Sequence, residues 1–197
     1  MRKVASDGDY VDLAGIPGIA IDLRYATVNN FTGVNLYRGF NMAFLHRFGA
    51  EKLRKAARLL AKTKPGWRLL VLDALRPRSV QRILWNKAKE MGKEGYVADP
   101  AKGSVHNYGL ALDITLMDNN GKEVDMGTPY DDFTSLSEPR REEEFKNDGR
   151  LTVAQFENRA LLRGVMTGAG FLQLPTEWWH YDSMPPAEAR THYRIIE

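Results

Sequence analysis

The sequence predicts an α+β fold, a single domain over residues 1–197 built on a central, mostly antiparallel sheet flanked by helices. Three observations predict it. Residues 49–91 run through helical, strand-like and again helical patterns. Residues 110–118 alternate apolar and polar side chains with the period of a half-buried strand, and residues 152–182 carry a second long helix into further strand material.

In "GAEKLRKAARLLAKTK" (49–64), Leu53, Ala56, Ala57, Leu60 and Ala61 recur at helical spacing with lysines and arginines opposite. That pattern is an amphipathic helix, stopped by Pro65-Gly66. "WRLLVLDAL" (67–75) is a short apolar run after the turn and reads as a buried strand. "SVQRILWNKAKEM" (79–91) is helical, with Ser79 expected as its N-cap. In "LALDITLMD" (110–118) Leu110, Leu112, Ile114 and Leu116 fall on one face, and Ala111, Asp113 and Thr115 on the other. Asp113 therefore points away from the leucines. The turn "DNNG" (118–121) is expected to fold "KEVDM" (122–126) back as a hairpin partner. The charge run "SEPRREEEFKNDGR" (137–150) is expected to be a solvated loop or a helix end. "TVAQFENRALLRGVMTGAG" (152–170) is the second long helix with a glycine-rich stop, after which "FLQLP" (171–175) and "WWHYD" (178–182) supply strands.

Composition bounds the chemistry. A chain of 197 residues buries a core without needing a metal or disulfide as its main prop, so any metal is expected to be catalytic. There are no cysteines, which removes thiolate ligands and nucleophilic thiols and leaves imidazole and carboxylate as the strong donors. The 28 Lys plus Arg are spread along the chain against 25 Asp plus Glu, a formal net charge of +3, so nucleic-acid binding is not expected. No run reaches the roughly 18 apolar residues of a membrane span. "MRKVASDGDYVDL" opens with two basic residues but no apolar stretch behind them, which predicts a cytoplasmic protein; a chain whose export signal had been removed would read the same way, as a periplasmic one. Oligomeric state is not legible.

Two of the four histidines sit in stretches that share a chemistry. "SVHNYGLALDITL" (104–116) places His106 and Asp113 around Gly109, and "TEWWHYD" (176–182) places Glu177 three positions before His180. A hydrolytic zinc site takes three protein ligands from His and Asp or Glu and leaves a fourth position open. His106, Asp113 and His180 make that count. Gly109 has no Cβ and lets the chain turn between His106 and the strand bearing Asp113. Glu177, left over, is the expected base. Trp178 and Trp179 are read as walls that dry the site and hold Glu177 and His180 in place.

Ser104-x-His106-x-x-Gly109-x-Ala111-x-Asp113, followed by Glu177-x-x-His180, resembles the zinc peptidases of the D-alanyl-D-alanine dipeptidase (VanX-like) group. That group belongs to a wider set with D,D-carboxypeptidases and the zinc fold of Hedgehog signalling domains. "DLRYATVNNFTG" (22–33), "DALRP" (73–77) and "DMGTPYDDF" (125–133) match the same group, so the resemblance spans most of the chain. It implies one zinc ion per chain, bound by His106, Asp113 and His180 on the sheet face, with Glu177 as general base and Arg76 as the cation facing the transition state. It further implies that Ser104, Tyr37 and Asp131 hold the amino end of a small dipeptide; Asp131 is preferred to Asp132 for the aromatic residue that precedes it. The loop after Gly33 is shorter than in the group's better-known members. Where members of the group often have Ser-Arg between the histidine and the glycine, this chain has Asn107-Tyr108, closer in character to the carboxypeptidase branch. The expected activity is hydrolysis of D-Ala-D-Ala and similar D-dipeptides. The alternatives are a D,D-carboxypeptidase or other peptidoglycan peptidase acting on longer stem peptides, and a non-catalytic zinc-binding module, against which the unligated Glu177 argues.

Overall fold

The computed structural model describes residues 2–197. Its elements in chain order are α1 (Arg2–Ala5), β1 (Tyr10–Asp12), β2 (Ile19–Ile21), β3 (Phe44–His46), α2 (Arg47–Thr63), β4 (Arg68–Asp73) and α3 (Arg78–Glu90). Then come β5 (Ala111–Met117), α4 (Glu142–Asn147), α5 (Val153–Gly168), β6 (Leu172–Gln173), β7 (His180–Asp182) and α6 (Pro186–His192). The main sheet runs β2-β4-β5-β7-β6, with β2 parallel to β4 and the other pairings antiparallel. β1 and β3 form a separate antiparallel pair.

The apolar periodicities explain the layering. Leu53, Ala56 and Leu60 of α2 and Leu162, Val165 and Met166 of α5 are buried in one cluster with Leu69 and Val71 of β4 and Leu112, Ile114 and Leu116 of β5. Each of the larger side chains contributes about 1.5–3 kcal/mol by leaving water. The leucine face of β5 is therefore spent on the helices, and its Asp113 face is left for chemistry.

Four details depart from the sequence reading. Ser79 is not the cap of α3: the helix starts one residue earlier behind Pro77, whose ring fixes the entry angle, and the Arg78 N–H donates to Ile196 O at 2.8 Å. The hairpin at 118–126 shrinks to a single bridge, Met117 to Glu123, because Asp118 Oδ1 takes the N–H groups of Asn120 and Lys122 at 2.9 Å each and rounds the turn into a local loop. The charge run at 137–150 is not simply solvated. It holds α4, with Phe145 fully buried and Glu142 2% exposed. Finally, three short strands, β1 to β3, were too brief to leave a periodic signal.

Two irregularities place the site. Between Val71 and Asp73 the β4–β5 register shifts, so that Leu69 and Val71 face Leu116 and Ile114, but Asp73 lies opposite Asp113. Without this bulge Asp73 would fall on the leucine face. The second is Gly109, which ends the 3-10 turn Val105–Tyr108 at φ 65° and turns the chain into β5. A Cβ there would meet Tyr10 Cε1 at 2.7 Å and Leu75 Cδ1 at 2.8 Å. Gly109→Ala combines left-handed strain with this clash and should cost at least about 2 kcal/mol in urea denaturation; a loss below about 0.5 kcal/mol would mean the turn has room to relax.

Candidate metal centre and its cavity

Strand pairing builds most of the centre. Asp113 and His180 are direct cross-strand partners on β5 and β7, so their side chains share a face. His106 is delivered from the turn before Gly109, and the Arg76 N–H donates to His106 O at 3.1 Å. Three donor atoms converge: His180 Nδ1 lies 3.0 Å from Asp113 Oδ1, His106 Nε2 lies 3.3 Å from the same oxygen, and the two nitrogens are 3.2 Å apart. Tetrahedral ligands at about 2.0–2.1 Å from a divalent ion stand about 3.3 Å from one another. The triangle therefore fits a metal. Among the described residues this is the one cluster of His, Cys, Asp or Glu with such geometry.

The outer atoms of the three residues are already committed. His106 Nδ1 sits 2.6 Å from Ala74 O, and His180 Nε2 sits 3.0 Å from Asp182 Oδ1, which leaves the inward nitrogens free for a metal. Asp113 Oδ2 accepts from Tyr130 Oη at 2.8 Å and from Arg76 Nη2 at 3.2 Å. Arg76 is itself braced: Nε donates to Asp73 Oδ2 at 2.7 Å and Nη1 to Gln81 Oε1 at 2.9 Å. Its guanidinium also lies 5.0 Å from the centroid of the Tyr25 ring.

His106, Asp113, His180, Arg76 and Asp182 line a cavity of about 180 Å³ together with Glu177, Asp131, Ser104, Tyr25 and Trp179. Glu177 is 8% exposed, and among the described residues nothing donates a hydrogen bond to its carboxylate. Burial pushes it up to about 7, with Asp113 adding to the shift and His180 opposing it. Asp131 is held well above the usual carboxylate range by burial and by Asp113, with Arg76 offsetting part of the effect. Such a carboxylate favours either a proton or an incoming cation. For His180 burial works against the charge, but the carboxylates of Asp182 and Asp113 outweigh it and raise the pKa well above the usual value.

The structure brings His106, Asp113, His180, Glu177, Arg76, Ser104 and Asp131 to one cavity. It separates Asp131 from Asp132: Asp131 faces the cavity at φ 62° with Tyr25 Oη 3.1 Å from its Oδ1, whereas Asp132 takes the hydroxyl of Thr134 at 3.0 Å. Tyr37 does not line the cavity, because its buried hydroxyl is spent on Asp73. Tyr25 stands at the wall instead. The Asn107-Tyr108 departure lies outside the cavity too. Asn107 is fully buried, its Oδ1 accepting from the Ser104 N–H and its Nδ2 donating to Arg76 O, both at 2.8 Å. It ties the two motif turns together.

Sequence reasoning missed Arg159. From α5 its 1% exposed guanidinium donates to Met126 O at 2.6 Å, Leu136 O at 2.9 Å and Thr128 Oγ1 at 3.3 Å, and Glu142 lies 3.6 Å away. Trp178 Nε1 reaches the same Thr128 hydroxyl at 2.8 Å. Arg159 thus fastens the loop that carries Tyr130 and Asp131 to α5, and Thr128 ties that loop to the segment that carries Glu177.

The family model described as D-ala-D-ala dipeptidase, peptidase M15, matches residues 7–197. The D-alanyl-D-alanine dipeptidase of Escherichia coli (strain K12) is 34% identical over 175 residues, covering 88% of this chain and 84% of its own length. That of Enterococcus faecium is 30% identical over 187 residues, covering 84% of this chain and 86% of its own. That of Synechocystis sp. (strain ATCC 27184 / PCC 6803 / Kazusa) is 30% identical over 175 residues, covering 74% and 71%.

Arg159→Met fills much of the same space but leaves two carbonyls without their donor and leaves buried Glu142 with Arg163 alone of its two arginine partners. Chemical denaturation should record a loss of about 3–5 kcal/mol. A loss under about 1 kcal/mol would show that the loop is held by its own contacts.

Proposed function

The chain belongs to the D-ala-D-ala dipeptidase family of peptidases, and from that membership we propose that it hydrolyses D-Ala-D-Ala and similar D-dipeptides at a zinc centre. The observation that carries this reading is one cavity in which a three-donor triangle, an unbonded buried carboxylate at Glu177 and a second buried carboxylate at Asp131 stand together.

His106 Nε2, Asp113 Oδ1 and His180 Nδ1 would hold the ion. Bound there, zinc supplies Lewis-acid polarisation of an amide carbonyl and makes water acidic enough, with a pKa near about 7, to attack at neutral pH. The chain's own groups do the rest. Glu177, with no other bond to break, takes the water's proton as it adds to the carbonyl and hands it to the leaving amine. Arg76 faces the oxygen on which negative charge gathers, and its bracing by Asp73 and Gln81 means it need not reorganise as the charge forms. Asp131, steadied by Tyr25, takes the free ammonium of the substrate, and Ser104 lines the wall next to His106. Trp179, itself buried, supplies part of the cavity's apolar wall.

The small cavity and Asp131 favour a short substrate with a free amine over a longer stem peptide. Because Asn107 braces turns and does not face the cavity, the Asn107-Tyr108 departure gives no support to the carboxypeptidase alternative. The deciding experiment incubates the protein with D-Ala-D-Ala and with a pentapeptide ending in D-Ala-D-Ala and measures released D-Ala. Faster release from the pentapeptide would overturn the dipeptidase reading.

The protein should carry about one zinc, and chelation should abolish hydrolysis while circular dichroism still shows a folded chain, since a core of this size stands without the ion. Glu177→Ala should keep the zinc and lose about 10²- to 10⁴-fold in kcat; loss of the metal in that variant would make Glu177 a ligand.

Acetylating the amine of D-Ala-D-Ala should leave buried Asp131 without a counter-ion, a penalty of roughly 2–5 kcal/mol, or about 30- to several-thousand-fold in kcat/KM. Asp131→Asn should erase most of this preference and Asp132→Asn almost none. Equal cleavage of free and acetylated dipeptide by the parent enzyme would remove Asp131 from the binding role.

A further inference from the structure

The two oxygens of Asp113 have different surroundings, and the difference is made by a residue outside the ligand set. Oδ1 faces the two histidine nitrogens at 3.0 and 3.3 Å. Oδ2 faces the Tyr130 hydroxyl at 2.8 Å and Arg76 Nη2 at 3.2 Å. We propose that Tyr130 fixes the coordination mode of Asp113: by holding Oδ2 away from the centre it makes Asp113 a one-oxygen ligand and keeps the fourth position open. The inference rests on the metal reading above and adds to it the residue that governs the ligand's geometry.

The argument is one of competition for an oxygen. A carboxylate with both oxygens free can grip a divalent ion with the pair, which fills a position that water and substrate need. Something must outbid the ion for Oδ2. Arg76 alone is a weak candidate, since its Nε and Nη2 both serve Asp73, its Nη1 serves Gln81, and its contact with Asp113 is the longer of the two. Among the described residues Tyr130 has no hydrogen-bond partner for its hydroxyl besides Asp113. Its ring is set edge-on to Trp179 with centroids 5.5 Å apart and tilted against Tyr25 at 6.0 Å, so the hydroxyl is aimed by packing before any metal arrives. A neutral phenol also serves Oδ2 without adding to the positive charge that Arg76 already places there.

The position has a further consequence. Tyr130 adjoins Asp131 in the chain, so the residue that orients the metal ligand and the residue that seeks the substrate's amine are carried by one loop, the loop that Arg159 fastens to α5.

Tyr130→Phe removes the hydroxyl and keeps the ring. Zinc affinity, read by competition with a chromophoric chelator, should fall about 10- to 100-fold. In the cobalt(II)-substituted variant the visible absorption should weaken relative to the parent, as a two-oxygen Asp113 raises the coordination number above four. Unchanged affinity with an unchanged cobalt spectrum would overturn the role of Tyr130 while leaving the metal site intact. A fall in affinity with the parent's spectrum would also overturn it, since the hydroxyl would then only stabilise charge. If the parent protein took up neither zinc nor cobalt, the metal reading itself would fall, and this role with it.

Discussion

Everything in this cavity follows from the difficulty of keeping a charged carboxylate inside a sheet. Asp113 lies in the middle strand, with a side chain 3% exposed, where an uncompensated charge would be prohibitively costly. Its neighbours are the answer to that difficulty: two histidines on one oxygen, an arginine and a tyrosine on the other. The arginine then creates the same demand one step out, which Asp73 and Gln81 meet, and Tyr37 in turn meets that of Asp73. The network is satisfied from the outside inward, and what remains unsatisfied at its centre is the inner edge of three donor atoms. Chemistry is directed there because every other polar atom of these residues already has a partner.

The sheet irregularity between Val71 and Asp73 makes this economy possible. One extra residue on β4 lets a single strand serve the leucine core with Leu69 and Val71 and the polar network behind the cavity with Asp73. Arg76, three residues on, is then held between Asp73 and Asp113 by two carboxylates that a regular ladder would have put on opposite faces. Core packing and site geometry are thus separated by a one-residue change in register.

How much of this was legible in the sequence depends on whether a local rule governs it. The period-two pattern of residues 110–116 gave the face of Asp113 directly, and the helical stripes located α2, α3 and α5 within a few residues. Asp182, two residues after His180 on a strand, shares its face by the same rule and was open to the same reading. Arg159 left a signal too, since it falls on the buried stripe of α5 with Leu162 and Met166, and a charge on such a stripe announces a partner. The bulge left none, as nothing in "LLVLDA" distinguishes a bulged strand from a regular one. Tyr25 and Tyr37 both lie in or near motif stretches, and only the tertiary arrangement shows which hydroxyl reaches the cavity. Ser79 misled because a serine ahead of an apolar period is a common cap; here Pro77 and a distant carbonyl did that work first.

The order of the sheet has a consequence for how the chain is made. β5 lies between β4, which precedes it, and β7, which follows 67 residues after Asp113 at His180. A ribosome adding about 5–20 residues per second takes about 3–13 s to cover that interval. Throughout it the nascent chain holds a strand with one neighbour, an acidic side chain whose second histidine does not yet exist, and a leucine face waiting for α5. That window closes only when the aromatic segment around His180 emerges and completes the sheet.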